Sequence, residues 1–279
     1  MRPVPLEEAF DEGEFGGKAS SLARSLGAGL PVPPGFALSA EYVEAVFDGN
    51  AGAVRDLRSV FAGLGGPCAV RSSAIGEDSE DASFAGQHIT LLNVRYEDQV
   101  AEAVLSVRES AYTESARAYR RKMGMDEKPQ IGVVVQRMIE PDCAGVMFTR
   151  NPISGADERV IEAAWGLGEA VVGGLVVPDN YALDGQGRVL RCTAGEKDIA
   201  LCGSPEGGVR EEAVAPELVN ALCLNDAMLA ELHGLATRCE ARFGEGVDIE
   251  FAFARGRLYL LQCRAMTRNR HMEEKALAS

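Results

Sequence analysis

The chain has 279 residues, 46% of them apolar and 25% charged, with a formal net charge of −14. That length can bury a full core as one large domain or two lobes, and the composition is that of a globular protein. The acidic balance excludes a nucleic-acid backbone or an anionic membrane as the main partner, because either wants a basic field. No apolar run approaches the length of a bilayer span. Met1 to Phe15 is acidic and lacks a signal-peptide core, so a cytosolic location is expected. The seven cysteines, Cys68, Cys143, Cys192, Cys202, Cys223, Cys239 and Cys263, are widely spaced with no Cys-x-x-Cys pair. Buried free thiols are the expected state.

In chain order, residues 1–35 read as a short helix containing Gly16-Gly17-Lys18, then a turn at Pro31-Val-Pro-Pro34-Gly35. Residues 40–64 read as helix and Cys68 to Arg71 as a short strand. A polar loop follows from Ser72 to Gln87, then a strand from Ile89 to Val94. Val100, Val104, Val107 and Ala111 recur at helical spacing, which predicts one long amphipathic helix over 97–124. Its end carries Arg117, Arg120, Arg121 and Lys122, as the helix dipole favours. Beyond Pro129 the pattern turns to strands at Ile131–Met138, Ala144–Thr149, Arg159–Ala163, Val176–Leu183 and Arg188–Cys192. Leu218 to Phe243 is helical with a break near Asn225. Val247–Phe253 and Leu258–Arg264 form a closing hairpin, and Asn269–Ser279 a charged tail. Helices and largely antiparallel strands are intermixed, which predicts an α+β fold in two lobes and argues against a Rossmann sheet. Neither common nucleotide loop, Gly-x-Gly-x-x-Gly after a strand nor Gly-x-x-x-x-Gly-Lys-Ser/Thr, is present.

Several segments have the chemistry of a phosphate site. Arg71, at the end of an apolar strand with hydroxyls behind it, forks onto two oxygens. The acidic stretch that follows reads either as a surface loop or as a lid whose Ala82–Gly86 end closes over a triphosphate. In the closing hairpin, Asp248 and Glu250 share one face of their strand, and Leu260, Gln262 and Arg264 share a face of the partner. A three-residue loop, Arg255-Gly256-Arg257, places Glu250 opposite Gln262 and Asp248 opposite Arg264. A two-residue loop pairs Glu250 with Leu261 instead. The first register makes a Mg²⁺ site of a carboxylate and an amide oxygen, with an arginine alongside. Read bare, such a hairpin is a charged solvent face. Lys18, after two glycines at a helix start, reaches a phosphate as a point charge or is simply exposed. Val133 to Met138 is either a core strand or an adenine hinge, with backbone groups reading the base edge and Met138 packing on its face. Glu162 and Glu169 can orient ribose or metal, and Trp165 serves packing or recognition.

Taken together, these segments resemble the ATP-binding domain of phosphoenolpyruvate synthase, pyruvate phosphate dikinase and rifampicin phosphotransferase. The matching runs are Gly16-Gly-Lys-Ala-Ser-Ser-Leu22, Val32-Pro-Pro-Gly-Phe36, Ala69-Val-Arg-Ser-Ser-Ala74, Glu77-Asp-Ser-Glu-Asp-Ala-Ser-Phe-Ala-Gly-Gln87, Gly145-Val-Met-Phe-Thr149, Glu162-Ala-Ala-Trp-Gly-Leu-Gly-Glu169, Pro178-Asp179, and Asp248-Ile-Glu250 through Gln262-Cys-Arg264. They lie in the family's order along nearly the whole chain. The resemblance implies an ATP-grasp fold over residues 1–267, two lobes with a cleft between them, and a charged tail over 268–279. It implies an ATP- and Mg²⁺-dependent phosphotransferase. By motif position, Lys18 and Arg71 correspond to phosphate ligands, and Gly86 and Thr90 to the closing loop and the strand after it. Gln136 corresponds to the adenine-hinge contact, Glu250 and Gln262 to the Mg²⁺ and phosphate ligands, and Arg264 to the arginine at the transferring group. Lys18, Arg71 and Arg264 are then the catalytic set.

Two departures bear on function. The family carries a Gly-Gly…Cys-His-Ala type motif on a swivelling domain whose histidine takes the β-phosphoryl of ATP, and none occurs in these residues. His88, His233 and His271 stand in other contexts. The usual Arg-Pro-Ile/Leu-Thr ending reads Arg264-Ala-Met-Thr267. Three functions follow. The first is a catalytic unit that passes the β-phosphoryl to a histidine domain in trans, releasing AMP and phosphate. The second is a stand-alone small-molecule kinase or ATP-grasp ligase acting directly on its acceptor. The third is a non-catalytic nucleotide-sensing scaffold.

Overall fold

The computed structural model describes residues 2–75, 89–122 and 129–266. The expectations for the lid, Gly86, His88, His271 and the 268–279 tail lie outside the described residues.

The N-terminal segment holds β1 (Val4–Pro5), α1 (Glu12–Phe15) and α2 (Gly17–Gly27). The single short helix expected there is two, because Gly16 separates them at φ 84°. A Cβ on Gly16 would stand 2.0 Å from the Ser73 carbonyl oxygen, so only glycine lets α2 start this close to the neighbouring strand.

Lobe one is an antiparallel sheet of β1, β2 (Gly35–Leu38), β3 (Cys68–Ala74), β4 (Thr90–Val94) and β5 (Ile131–Arg137), in the order β1-β2-β5-β3-β4. Alternation divides its two faces. Cys68, Val70, Val133 and Val135 point into a core closed by α3 (Ala40–Phe47), α4 (Ala51–Gly63) and α5 (Val100–Ser110). Ala69, Arg71 and Gln136, one residue out of phase, fall on the opposite face. The helix expected over 40–64 is broken at Gly49, φ 73°, after which the Asn50 side chain caps α4 by accepting from the Gly52 and Ala53 N–H groups. The helix expected over 97–124 also divides, into α5 and α6 (Glu114–Lys122), with the Thr113 hydroxyl accepting from the Ala116 N–H at the restart.

Lobe two is built from β6 (Cys143–Phe148), β7 (Glu158–Trp165), α7 (Glu169–Val172), β8 (Asp179–Asp184), β9 (Val189–Thr193), a separate hairpin of β10 (Ile199–Gly203) and β11 (Val209–Ala213), α8 (Pro216–Val219), α9 (Asp226–Phe243), β12 (Val247–Ala254) and β13 (Arg257–Ala265). Its main sheet runs β13-β12-β6-β7-β8-β9, antiparallel throughout. Ile249, Phe251 and Phe253 are fully buried in the core beneath α9, each contributing roughly 1.5–3 kcal/mol. The break expected near Asn225 is real, since the Asn225 side chain caps α9 by accepting from the Met228 N–H. Leu6, Phe15 and Leu22 join this core, so the N-terminal helices tie lobe one's edge to lobe two. The α+β class, the two lobes and the antiparallel strands expected from the sequence are all present. All seven cysteines are free; five are buried as expected, Cys202 is half-buried and Cys192 is exposed. No helix among the described residues is long and apolar enough to cross a membrane.

The closing hairpin reaches the expected pairing by an unexpected route. Glu250 pairs with Gln262 and Asp248 with Arg264. The turn is nevertheless the two-residue Arg255-Gly256, at φ 53° and 71°, with Ala254 opposite Arg257. This sign pattern is that of a type I′ turn. An extra residue, Leu261, bulges between the pairs Phe251–Leu260 and Glu250–Gln262 and corrects the register. Leu260 therefore does not share a face with Gln262 and Arg264. It is fully buried in lobe two's core, and Leu261 turns to the opposite side. Arg255→Asn puts a residue that tolerates positive φ at the turn without touching the bulge. Stability is expected to rise by roughly 0.5–1 kcal/mol, read by denaturant unfolding.

Candidate functional site

The uncovered faces of the two sheets enclose a cavity of ≈ 420 Å³, within the range of small-molecule sites, about 300–1,000 Å³. It is lined by the charged and polar Lys18, Arg71, Arg137, Glu169, Glu250, Gln262 and Arg264 and by the apolar Leu92, Met138, Ile139, Leu167 and Val172, of which Leu92, Met138 and Leu167 pack in one apolar cluster. Thr90 and Gln136 also line it. Eight of the nine predicted ligand residues thus meet in one cavity, and the ninth, Gly86, lies outside the described residues.

Arg71 is the hub. From β3 its Nη1 donates to the Leu261 carbonyl at 2.7 Å and to Gln136 Oε1 at 3.4 Å. Its Nη2 donates to Gln262 Oε1 at 3.0 Å and Glu250 Oε2 at 3.2 Å. Only 8% of the residue is exposed. The bulge gives it the Leu261 carbonyl, and the same irregularity lets the Leu260 N–H donate across to the Pro31 carbonyl at 2.9 Å. Two backbone groups of the edge strand β13 are thereby handed to lobe one. The Ser21 hydroxyl adds a third link by donating to the Cys263 carbonyl.

The other groups are held with comparable care. Lys18, in the first turn of α2, is buried and donates from Nζ to the Ser72 carbonyl at 2.9 Å. Ser72 and Ser73 are not the open phosphate cradle the sequence suggested. Both belong to β3, and the Ser73 hydroxyl accepts from the Ala19 N–H. Gln136 is committed as well, its Nε2 donating to the Pro33 carbonyl at 3.0 Å while its oxygen accepts from Arg71. The Arg137 and Met138 N–H groups donate to the Pro34 and Pro67 carbonyls, so this stretch cannot use either to read a base edge. Arg264 is gripped by Asp248 Oδ2, which accepts from Nε at 2.9 Å and pairs with Nη2 at 2.8 Å.

Burial pushes the Asp248 carboxyl up from its ordinary range; Arg264 opposes the rise and Glu250 adds to it. Glu169 stands at the cavity mouth, open to solvent on one side, yet the enclosing walls strip enough hydration to raise its carboxyl too. Glu250 contributes to that rise and Arg71 counters it. Among the described residues no three His, Cys, Asp or Glu side chains gather into a ready-made metal cage. Glu250 Oε2 and Gln262 Oε1 do converge, each within 3.2 Å of the same Arg71 nitrogen. One charged and one neutral hard oxygen suit a cation that completes its shell with ligand oxygens, as Mg²⁺ does. Of the other candidates, Glu162 does not line the cavity, and Trp165 packs on lobe two's core with its Nε1 donating to the Leu218 carbonyl. His233 lies on α9 against Gly187, not at the cavity.

Beyond Met138, the apolar wall was not expected. Leu92 was open to a period-two reading, since Thr90 and Leu92 face the cavity while Leu91 packs on lobe one's core. The Leu261 carbonyl had no sequence signal, because nothing in Leu258–Arg264 marks a bulge.

The sequence matches the family described as pyruvate phosphate dikinase, AMP/ATP-binding domain, over residues 51–279. It is 35% identical to a probable phosphoenolpyruvate synthase of Methanothermobacter thermautotrophicus, over 92% of this chain and 44% of that protein. It is 33% identical to the phosphotransferase YvkC of Bacillus subtilis, over 96% of this chain and 35% of that one. It is 36% identical to the prodigiosin synthesizing transferase PigC of Serratia marcescens, over 94% and 32%. The chain spans less than half the length of each of these relatives.

Two outcomes follow from the geometry alone. Arg71→Lys keeps the charge but cannot fork onto four acceptors, and should cost roughly 2–3 kcal/mol in denaturant unfolding. Glu169→Gln should stabilise the chain above neutrality, because the folded state disfavours the ionised carboxylate. That difference should shrink as pH falls through the raised folded value and vanish below the ordinary value of 4.5, where folded and unfolded chains both carry the proton. Thermal unfolding of both forms across pH 4–8 reads it.

Proposed function

The chain belongs to the pyruvate phosphate dikinase AMP/ATP-binding family, and from that premise we propose that residues 1–267 form an ATP-grasp unit that binds ATP with Mg²⁺ and delivers a phosphoryl group. The observation that carries the reading is the shared cavity itself. Four cations, Lys18, Arg71, Arg137 and Arg264, line it with Glu250, Gln262 and Glu169, and Leu92, Met138 and Leu167 add an apolar slot. Carboxylates beside a polyphosphate are repulsive unless a divalent cation bridges them, and Glu250 with Gln262 offers the oxygens for one.

In this reading the base lies between Leu92, Met138 and Leu167, with the phosphates toward Lys18 and Arg71. Glu250 and Gln262 hold Mg²⁺, which draws charge from the phosphate oxygens and fixes their geometry. Lys18 acts as a compact point charge on a helix start. Arg264, aimed by Asp248, meets the charge that develops on the transferring group. Little covalent chemistry is asked of these residues. They position the phosphates, neutralise them and exclude water. The acceptor is a histidine of a separate domain or partner: it takes the β-phosphoryl as the bond to the α-phosphate breaks and AMP leaves, and the γ-phosphoryl passes to water as phosphate.

The test is product and binding analysis with ATP, Mg²⁺ and a candidate acceptor domain. Glu250→Ala should weaken Mg²⁺-dependent ATP binding by about tenfold or more. Arg264→Ala should leave binding measurable and cut turnover by roughly 10²–10³-fold. AMP with phosphate supports transfer through a histidine, and ADP would instead mean direct transfer to a small molecule. Nucleotide binding without turnover would reduce the chain to a sensing scaffold. Two variants that behave as wild type would remove the site assignment.

A further inference from the structure

We propose that Asn93 is a positioning residue for the base end of the cleft, a clasp that ties the β10–β11 hairpin of lobe two to β4 of lobe one. The inference rests on the nucleotide reading and adds to it a residue outside the cavity lining.

Asn93 is fully buried and sits at φ 56°. Asparagine visits the left-handed region more readily than most residues, but a buried one persists there only when its surroundings require it. Here they do. Nδ2 donates to the Ser204 and Gly208 carbonyls, both at 2.7 Å. The Gly208 N–H returns a bond to the Asn93 carbonyl at 3.2 Å. Arg95 Nη1 donates to Asn93 Oδ1 at 3.2 Å and so fixes which way the amide faces. Ser204 and Gly208 flank the tip between β10 and β11, and Gly203 packs against the same amide.

The other end of that hairpin is anchored in lobe two. The Leu167 N–H donates to the Leu201 carbonyl at 2.9 Å. Just before β10, Lys197 forms a fully buried ion pair with Asp179 at 2.5 Å. The hairpin is therefore a strap, fixed to lobe two at its base and to lobe one at its tip. Beneath it lies a third, small apolar cluster that belongs to neither lobe's main core. Met138 and Leu92 enter it from lobe one, and Leu167 and Leu201 from lobe two. Leu92, Met138 and Leu167 of this cluster are also the apolar wall of the cavity. Leu92 is the residue next to Asn93. The clasp thus sets the spacing of the slot that receives the base, while the phosphate end is set separately by Arg71 and the β12–β13 hairpin.

That separation makes the test specific. Asn93→Gly keeps the left-handed backbone available and deletes both donors to the hairpin tip. Calorimetric titration of the full chain with Mg²⁺–ATP should show affinity reduced by about tenfold. Titration with Mg²⁺ and inorganic tripolyphosphate, which lacks a base, should show no change. Unchanged ATP affinity overturns the proposal, and so does an equal loss on both ligands. Should Asn93→Gly fail to fold, Gly203→Ala tests the same clasp from the hairpin side, because its Cβ would stand 3.1 Å from Asn93 Nδ2. The same selective loss is expected there, with the same two overturning results. Failure of the wild-type chain to take up either ligand removes the nucleotide reading and the clasp with it, whereas wild-type binding with unaltered variants removes the clasp alone.

Discussion

The cleft depends on one guanidinium. Arg71 leaves lobe one on β3, is almost wholly buried, and spends its donors on two side chains and a backbone carbonyl of lobe two, with Gln136 behind it. A charge taken out of water must be met by partners or it costs several kcal/mol. Every element that supplies a partner is therefore constrained by this side chain. The β12–β13 hairpin must bring Glu250 and Gln262 to one face, and the edge strand must present a carbonyl. Gln136 must in turn be braced by the Pro33 carbonyl. The bulge at Leu261 meets the first two demands together.

The charge distribution follows from the same constraint. The chain is acidic overall at −14, yet the cavity sets Lys18, Arg71, Arg137 and Arg264 against Glu169, Glu250 and the flanking Asp248. On the proposed reading, cations and carboxylates set side by side suit a polyanion that brings its own divalent cation. The raised carboxyls of Asp248 and Glu169 record the cost of gathering acids in a shielded place.

The sequence was most legible where one residue type has one good use. Arg71 after an apolar strand, a Gly-Gly-Lys at a helix start and a Glu/Gln pair across a hairpin all carried through to the cavity. Alternation also separated Val133 and Val135 from Gln136. It misled at β13, where Leu260 was read onto the face of Gln262, because a bulge reverses the phase without leaving a turn residue to mark it. The β10–β11 hairpin was missed altogether, since β11 is Val-Arg-Glu-Glu-Ala and exposed along its length, with no apolar period to detect. Its place is fixed by Asn93 from more than a hundred residues away, and local pattern does not encode that distance. The backbone donors of the expected hinge were illegible for a similar reason. Which N–H groups of Arg137 and Met138 stay free depends on the Pro34 and Pro67 carbonyls, so only the fold reveals it.

On the proposed readings the cleft has two separately held parts. At one, Arg71 and the bulged edge strand fix the distance between Glu250, Gln262 and lobe one. At the other, Asn93 and the hairpin strap fix the apolar slot. On the proposed reading, the oxygens that now hold Arg71 are the ones a divalent cation needs. Glu250 and Gln262 would then hold the metal of a metal-bound triphosphate and the fork of Arg71 would take its phosphates, an exchange of partners that would strand no charge. The buried arginine is stable only with one set of partners or the other. The intermediate arrangement, metal absent and Arg71 unpaired, is penalised by that desolvation. On that reading nucleotide and metal would bind as a unit, and the contacts that Arg71 makes across the cleft are the ones that ligand entry would replace.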